Sequence, residues 1–390
     1  MEINKIRETA KNTPLYIFDM DRLSERTEKI RQILGGNGLC FAIKANPFLT
    51  KELSQMTDRL EVCSPGEYEI CSRLGVPPEK LIISGVNKSP ESMERILTAT
   101  EGRAVYTVES QRHYDIITDV CRLHGLHVKV ILRLTSGNQF GMSREVFEEI
   151  LEELPKNSHV ELAGIHYYSG TQKKASRMEK ELGKLDEYAG YIREKYKIEQ
   201  LELEYGPGLS FDYFGEEPAE DELTDLKLLK SYTDRIENYS KITIEMGRYL
   251  TSDCGYYVTG VADIKENDGI NYCIVDGGIH QLNYYGQLMG MKKPHLEVIA
   301  AERSSLDMKW NVCGSLCTTG DVIVKEAALG SLNVGDLLVF KDCGAYSVTE
   351  GMSLFLSRSL PGIIFYSEKY GARQVRDSVD TYVINMPDTI

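Results

Sequence analysis

Apolar strand-like runs alternate with amphipathic helical segments over the first two-thirds of this 390-residue chain. Alternation of this kind favours parallel strands that are joined by helical crossovers. Eight such units over about 230 residues match the size of a (β/α)8 TIM barrel, with a doubly wound parallel sheet as the alternative. The predicted strands are 40–44, 60–63, 81–84, 104–108, 128–133, 160–166, 201–206 and 241–245.

The sequence pattern changes after residue 253. Short alternating runs such as "CGYYVTGVADIK" and "DLLVFKDCGAY" follow one another with turns between them and almost no helical periodicity. This pattern is typical of an all-β domain. We therefore predict an α/β barrel domain over 20–252 and a β-domain over 253–390, and we expect the short run 13–19 to add a strand to the β-domain.

The composition argues against several classes of binding partner and site. The net charge is −14, and no Lys/Arg-rich tract stands out, which argues against nucleic acid as a partner. No apolar run approaches the roughly 18 residues of a membrane helix. The charged start, "MEINKIRETAKN", lacks an apolar signal core and predicts a cytoplasmic protein. The nine cysteines form no CxxC pair, so we predict neither a disulfide framework nor a metal site.

The ends of the predicted strands are unusually polar. In a (β/α)8 barrel the reactive side chains lie at the carboxyl ends of the strands. Here those ends carry Lys44, Glu61, Ser84, Glu109, Arg133, His166, Gly206 and Glu245. Several opposite charges that converge on one barrel mouth predict an anionic ligand. Lys44 by itself has two interpretations: a strand-end lysine that extends to water, or a lysine that forms a Schiff base.

Two glycine-containing segments indicate a phosphate. "YGPGLS" (205–210) follows the seventh strand, and "EMGRYL" (245–250) follows the eighth. The loops after these two strands often bind phosphate in barrels, and glycine lets backbone N–H groups approach it closely. Arg248 can form paired hydrogen bonds with phosphate oxygens. A phosphate site, a lysine and a carboxylate in one barrel mouth together predict pyridoxal phosphate as the cofactor.

Eight motifs carry a family resemblance. They are, in chain order, "FAIKAN", "EVCSPGE", "HYYSGTQ", "GPGLS", "EMGRYL", "DGGIHQ", "GSLCTTGD" and "DCGAYS". With these motifs the chain resembles, over nearly its whole length, the fold-type III pyridoxal-phosphate decarboxylases, the family of diaminopimelate and ornithine decarboxylases. The resemblance implies an alanine racemase-like barrel with a C-terminal β-domain, and a carboxy-lyase activity.

The resemblance also implies catalytic roles. Lys44 would form the Schiff base with the cofactor and move protons between steps. Glu245 would face the pyridine nitrogen and keep it protonated, and His166 would stack on the cofactor ring; alone, His166 is equally consistent with a buried structural histidine. Cys317 would reach the active site of the partner subunit and help to protonate the product carbon, so that a homodimer shares its active sites.

Further site residues follow from the same resemblance. The phosphate would be bound by Ser169, Gly206, Gly208, Gly247 and Arg248, with Tyr346 closing on it and Glu61 near the Schiff base. The predicted substrate-binding residues are Arg133, His280, Thr318 and Asp321. Pro207 has no N–H, so one backbone donor of the family's glycine loop is missing here.

The substrate is less clearly defined. Thr318 follows Cys317, where diaminopimelate decarboxylases have a glutamate that binds the distal ammonium, and the Arg-Pro pair expected after "DGG" is missing. Diaminopimelate is therefore the alternative substrate. The main prediction is an L-amino acid or amino-acyl derivative, because two segments resemble the branch that acts on carrier-bound glutamyl groups or siderophore intermediates. Two other functions are weighed: a racemase, disfavoured by Glu245 and Cys317, and a non-catalytic cofactor-binding protein, disfavoured by the β-domain.

Overall fold

The computed structural model describes residues 1–215, 223–300 and 308–388. Its first helix is α1 (Ile3–Thr9), and its first strand is β1 (Leu15–Asp19). Strands and helices then alternate through most of the chain, as the sequence predicts, and strands predominate towards the C-terminus. None of the described helices is both long and apolar enough to span a lipid bilayer.

The chain divides into two compact units. One, called the barrel unit below, comprises Thr27–Ser210 and Glu220–Leu250. The other, called the sheet unit, comprises Met1–Arg26, Phe211–Ala219 and Thr251–Ile390. The sheet unit therefore combines the N-terminal segment with the C-terminal part of the chain.

Eight parallel strands in the described part of the barrel unit form a closed barrel. They are β2 (Gly38–Ala42), β3 (Arg59–Val62), β4 (Leu81–Ile83), β5 (Val105–Val108), β6 (Val128–Arg133), β7 (Val160–Tyr168), β8 (Glu202–Gly206) and β9 (Lys241–Met246). The predicted (β/α)8 barrel is confirmed. A doubly wound sheet is excluded, because the last strand, β9, pairs with the first, β2, and leaves no free edge.

Helices precede or connect the barrel strands, and serine defines where several of them begin. They are α2 (Met20–Leu34), α3 (Thr50–Met56), α4 (Pro65–Arg73), α5 (Pro90–Ala99), α6 (Gln111–His124), α7 (Arg144–Glu153), α8 (Ala175–Tyr196) and α9 (Thr224–Thr233). Ser64, Ser89, Ser110 and Ser143 precede α4 to α7, and each side chain accepts a hydrogen bond from a backbone N–H in the first turn. Such caps supply hydrogen-bond acceptors to backbone N–H groups of the first helical turn, which have no partner within the helix.

The interior of the barrel is filled by apolar side chains. Cys40, Ile82, Val105 and Ile131, from four different strands, pack together as a buried cluster. A filled interior closes the barrel and leaves its ends available for polar chemistry. Because all eight strands are parallel, their carboxyl ends lie at the same end of the barrel, called the barrel mouth below.

The described part of the sheet unit contains a nine-stranded mixed sheet. Besides β1 it comprises β10 (Gly255–Asn267), β11 (Ile270–Val275), β12 (Leu296–Ile299), β13 (Lys309–Cys313), β14 (Val322–Ala328), β15 (Leu337–Phe340), β16 (Gly362–Ser367) and β17 (Gly371–Arg376). Two short helices are α10 (Arg248–Thr251) and α11 (Tyr382–Asn385). The predicted second, β-rich domain is confirmed.

Strand β1 lies inside this sheet although it begins the chain. It pairs antiparallel with β10 and parallel with β16. Its residues Leu15 and Ile17 are buried against Tyr256, Val258 and Ile364. Burial of these side chains stabilises the N-terminal segment in the sheet, at about 1.5–3 kcal/mol for each large apolar side chain.

Candidate active site

Lys44 lies just beyond the end of its strand. Strand β2 ends at Ala42, and Ile43–Ala45 forms a single 3-10 turn. Pro47 lacks an N–H and cannot extend the strand pairing. The predicted strand 40–44 therefore ends two residues early, and the turn places the lysine side chain among the strand ends of the barrel mouth.

The ammonium of Lys44 contacts two carboxylates. Its Nζ lies 2.6 Å from Oε2 of Glu61 and 3.8 Å from Oε1 of Glu245, and the Sγ of Cys63 is 3.6 Å away. The Lys44 side chain is 38% exposed, whereas those of Glu61 and Glu245 are only 3% and 6% exposed. The amine is thus accessible from the barrel mouth while its anionic partners are buried beneath it.

His166 is held by the same carboxylate. Its Nε2 lies 3.2 Å from Oε2 of Glu245, and its ring is buried. Burial, followed by the positive charge of Arg133, lowers the pKa of His166 to about 3. The imidazole is therefore neutral at physiological pH and donates its Nε2–H to Glu245. Its Nδ1 is buried and has no hydrogen-bond partner among the described residues.

The donor atoms of Glu61, His166 and Glu245 lie within 4.8 Å of one another, a spacing that also suits a metal ion. The ammonium of Lys44 contacts both of these carboxylates, so its positive charge opposes the binding of a cation there. The arrangement favours an amine-centred site over a metal centre.

Arg133 belongs to a second charged pair in the barrel mouth. Its Nη1 lies 3.2 Å from Oε1 of Glu109, and Oε2 of Glu109 accepts a hydrogen bond from the Gly141 N–H at 3.1 Å. Both side chains are buried. The guanidinium also lies over the ring of Phe140 at 4.9 Å. Arg133 is thus fixed by its neighbours, and its buried Nε has no hydrogen-bond partner among the described residues.

Lys88 is a buried cation that the sequence does not single out. Its Nζ donates to the carbonyl oxygens of Ser84 and Gly85 at 2.9 and 2.6 Å. Burial lowers the pKa of Lys88 to about 8, and the charge of Glu109 opposes this shift. In the sequence Lys88 belongs to the polar loop "SGVNKS", where it cannot be distinguished from a surface lysine. Its contacts with the end of β4 assign it to the barrel mouth.

The predicted phosphate loop is tightly constrained. Gly208 has φ of +61°, and a Cβ at this position would lie 2.0 Å from the carbonyl oxygen of Gly170. A Cβ on Gly206 would lie 2.6 Å from the Tyr168 ring. Only glycine fits both positions, and the loop keeps its backbone uncovered by side chains of its own. Arg248, which begins α10 directly after Gly247, is buried at the end of the neighbouring strand β9.

A buried ionic cluster supports this loop, and sequence reasoning missed it. Nζ of Lys173 donates to Oε2 of Glu181 at 2.6 Å, to Oγ of Ser169 at 3.0 Å and to the carbonyl of Gly206 at 3.3 Å. The backbone N–H of Lys173 also donates to the carbonyl of Gly208 at 2.9 Å. Lys173 thus joins the ends of β7 and β8. In the sequence, the only indication that Lys173 belongs to the site was its position three residues after Gly170.

Ser169 is already engaged in that cluster. Its hydroxyl donates to Oε1 of Glu181, and the hydroxyl of Tyr205 donates to Oε2 of the same carboxylate at 2.8 Å. Burial raises the pKa of Glu181, but hydrogen bonds from Lys173 and Ser169 outweigh it and the pKa is lowered overall. Glu181 is therefore ionised at neutral pH. The predicted contact of Ser169 with phosphate stays a prediction.

Within the sheet unit, Asp321 fixes the loop that carries Cys317. Oδ1 of Asp321 accepts a hydrogen bond from the Ile279 N–H at 2.9 Å, and Oδ2 accepts one from the Leu316 N–H at 2.8 Å. The side chain is buried. The carboxylate therefore connects the segment "GSLCTTGD" to the segment "DGGIHQ". The family resemblance identified both segments as motifs but did not indicate that they are in contact.

The other predicted residues of the sheet unit differ in their exposure to solvent. Cys317 and Thr318 are exposed, and Oγ1 of Thr318 accepts from the Gly320 N–H at 3.3 Å. His280 is buried, with no hydrogen-bond partner for either ring nitrogen among the described residues, and burial lowers its pKa. Tyr346 is half-buried with φ of +65°. Their roles towards cofactor and substrate stay predictions.

The barrel mouth fits pyridoxal phosphate. The cofactor aldehyde needs an accessible amine, which Lys44 provides, and the ring needs a buried anion, which Glu245 provides. The buried Nδ1 of His166 has no hydrogen-bond partner among the described residues, so a polar aromatic ligand can supply one. The glycines of "YGPGLS" have no side chains that would compete with a phosphate, and Arg248 follows the neighbouring strand β9.

Comparison with known proteins identifies relatives along most of the chain. A family profile described as "Pyridoxal-dependent decarboxylase, C-terminal sheet domain" matches residues 15–344. The chain is 27% identical to diaminopimelate decarboxylase of Bacillus subtilis (strain 168), over 86% of this chain and 82% of that protein. It is 26% identical to L-glutamyl-[BtrI acyl-carrier protein] decarboxylase of Niallia circulans, over 90% of this chain and 87% of that protein.

A solved structure agrees in fold. The crystal structure of diaminopimelate decarboxylase from M. jannaschii in complex with L-lysine matches with a TM-score of 0.85 at 21% identity, and covers 98% of this chain and 94% of that one. The predicted decarboxylase family is confirmed, because the family profile spans the barrel and most of the sheet unit. The chain therefore belongs to the pyridoxal-dependent decarboxylases, a family of carboxy-lyases whose cofactor is pyridoxal phosphate.

Proposed function

We propose that this decarboxylase removes the α-carboxylate of an L-amino acid or amino-acyl derivative, with Lys44 as the residue that binds the cofactor aldehyde. The observation that supports this proposal is the position of the Lys44 amine, 2.6 Å from Glu61 and 3.8 Å from Glu245. A partly exposed amine above buried carboxylates is suited to form a covalent bond and then to move protons.

Bound pyridoxal phosphate supplies a protonated ring that accepts the electron pair left by departing carbon dioxide. Glu245 would contribute a buried negative charge that favours protonation of the cofactor's ring nitrogen. His166, neutral because of its burial, fixes Glu245 through its Nε2–H and adds no positive charge that would compete for this anion. Glu61 accepts a hydrogen bond from the Lys44 amine at 2.6 Å and so orients it when it is free of the cofactor.

We assign the phosphate to the loops after β8 and β9. Gly206 ends β8 and Gly208 follows it, and Gly247 and Arg248 follow β9. The ammonium of Lys173, paired with Glu181, donates to the carbonyl of Gly206, and the backbone N–H of Lys173 donates to the carbonyl of Gly208, so Lys173 holds the glycine loop in place. Fixed donors of this kind bind an anion without a cost for ordering the loop.

For the substrate we favour an L-amino acid or amino-acyl derivative, including one tethered to a carrier protein. Thr318 cannot supply the negative charge that a distal ammonium needs, and Arg133 is neutralised by Glu109. The relative from Niallia circulans, named as a decarboxylase of a carrier-bound L-glutamyl group, supports this choice. Measuring carbon dioxide release from L-amino acids, diaminopimelate and carrier-bound glutamate separates the candidates.

We further propose a homodimer in which Cys317 of one subunit serves the barrel of the other. The loop that carries Cys317 is fixed by Asp321 through two backbone hydrogen bonds, so the exposed thiol projects from a rigid base. A two-fold dimer would create two equivalent shared sites. We place the enzyme in the cytoplasm, because all nine cysteines are unpaired thiols.

Covalent labelling tests the role of Lys44. Borohydride reduction of the holoenzyme is expected to fix the cofactor on Lys44, because its partly exposed amine contacts two buried carboxylates. Peptide mapping by mass spectrometry locates the label. Lys88 is the internal comparison, since it is buried in the same barrel mouth with a pKa lowered to about 8. A label on Lys88, or on any lysine other than Lys44, would overturn the assignment.

Glu245→Gln is expected to lower kcat at least about tenfold, or about 1.4 kcal/mol of transition-state stabilisation. The amide keeps the size of the side chain but removes the charge that holds the ring proton. Glu204→Gln is the control for loss of a buried carboxyl group, because Glu204 pairs with Arg59 and burial raises the pKa of Glu204 to about 8, so that this change removes less charge. Unchanged kcat in Glu245→Gln, measured at saturating substrate, would contradict the proposed role.

A further inference from the structure

A cavity of about 400 Å³ lies in the barrel unit, lined by the loop after β6 and one side of α8. Leu134, Met142 and Leu185 give it an apolar wall, and Tyr167 and Tyr188 add aromatic surface. We call it the α8 cleft. Its volume lies within the range of about 300–1,000 Å³ that is usual for small-molecule sites. None of the predicted cofactor or substrate residues lines it.

The α8 cleft is strongly cationic in a chain of net charge −14. Arg144, Arg177, Lys180 and Lys184 all line it, and the one carboxylate there is Glu181. That carboxylate is already committed, because Lys173, Ser169 and Tyr205 donate to it and Arg177 pairs with it at 3.1 Å. The cleft therefore has an uncompensated positive charge.

Three of these cations have no ion-pair partner among the described residues, namely Arg144, Lys180 and Lys184. The two lysines belong to α8. They lie four residues apart on α8, so that like charges face each other on adjacent turns and destabilise the helix. A bound anion would remove this repulsion. Lys195, by contrast, lies on the same helix and is paired with Glu148 at 2.7 Å.

A separate observation indicates a missing hydrogen-bond partner. Tyr188 lines the cleft and is only 3% exposed, and its hydroxyl is buried with no hydrogen-bond partner among the described residues. A buried hydroxyl without a partner costs free energy, and native proteins rarely leave one unsatisfied. The guanidinium of Arg144 lies 4.4 Å above the ring of Tyr188. The cation of Arg144 and the aromatic ring of Tyr188 thus lie together at the wall of the cavity.

We propose that the α8 cleft binds a small organic polyanion, with carboxylate or phosphate groups held by Lys180, Lys184 and Arg144 and its organic part against the apolar wall. The site is independent of the decarboxylation chemistry. The hydroxyl of Tyr188 donates to one of the ligand's acceptor oxygens. Arginine and lysine bind both carboxylates and phosphates, so the shared chemistry is an organic molecule with at least two negative charges.

Calorimetric titration of the holoenzyme tests the proposal with citrate, ADP and inorganic pyrophosphate as probes. We expect citrate or ADP to bind, with an affinity that falls as salt is raised because the contacts are ionic. Stronger binding of citrate would assign carboxylate chemistry, and stronger binding of ADP would assign phosphate chemistry. Absence of binding by both organic anions, or pyrophosphate binding as tightly as the better of them, would overturn the proposal.

Variants locate the binding. Lys180→Gln/Lys184→Gln is expected to weaken binding at least about tenfold, since two charge-assisted contacts are lost, and Tyr188→Phe to weaken it by a smaller factor. Lys129→Gln/Lys195→Gln removes the same net charge away from the cleft and should bind like the unmodified protein. Equal weakening in both double variants would show a general charge effect and contradict the assignment to the cleft.

Discussion

Lys44→Ala is expected to lower kcat by at least about 10³-fold, because one positioned proton-transfer group contributes about 10²–10⁴-fold and this amine also binds the cofactor. The fold should remain intact. Lys44 lies in a short turn with its side chain partly exposed, and its removal leaves Glu61 and Glu245 without their cation but with access to water. Steady-state carbon dioxide release gives the rate, and thermal unfolding checks the fold.

Lys129→Ala is the matched control, because Lys129 lies on barrel strand β6 but is exposed and far along the strand from its carboxyl end. This variant should keep full activity. Methylamine supplied to Lys44→Ala should restore part of the rate, since it replaces the missing amine without restoring the side chain. Retention of more than a tenth of the activity in Lys44→Ala would show that another residue carries the chemistry.

Cys317 and Lys44 are expected to complement each other between subunits. In a mixed dimer of Lys44→Ala and Cys317→Ala chains, a shared-site enzyme has one site with both lesions and one with neither. Such a dimer should recover up to about half of the unmodified activity, because two-fold symmetry makes the two sites equivalent. Each homodimer alone should be inactive or impaired, and Cys317→Ala should release carbon dioxide while forming an aldehyde by-product, because the thiol no longer delivers the proton.

Native mass spectrometry verifies that the mixture contains heterodimers, and product analysis measures the amine and the aldehyde. Cys313→Ala is the control, because Cys313 lies only four residues away on β13 and is half-buried. Mixing Cys313→Ala with Lys44→Ala should give half of the unmodified activity per heterodimer with no aldehyde. A verified Lys44→Ala and Cys317→Ala heterodimer that stays inactive would show that Cys317 acts within its own chain or has no catalytic role.

The barrel was predictable because its determinants are local and periodic. Alternation of buried runs with amphipathic helices specifies eight parallel units, and the strand Val128–Arg133 has the predicted boundaries. The end of β2 was placed two residues too late. Apolar periodicity continues through Ile43, so the sequence does not show that the backbone turns there.

The residues of the candidate site were predictable where a reactive side chain lies at the carboxyl end of a strand. Lys44, Glu61, His166 and Glu245 come from four strands or the turn after one, and parallel pairing alone brings such ends together. Their contacts confirm that they converge. The motifs also identified the family, since their order along the chain is independent of the detailed packing.

The sequence by itself determined the barrel, the β-domain, the family and the residues at the strand ends, because these depend on short-range pattern and on the order of motifs. Only the tertiary structure decided which cations are buried and what they contact. Lys88, Lys173 and Lys180 look alike in the sequence, yet the first donates to two carbonyls, the second is buried against Glu181, and the third lines a cleft without an ion-pair partner among the described residues. Burial and charge pairing depend on residues that are distant along the chain, and folding alone brings these residues together.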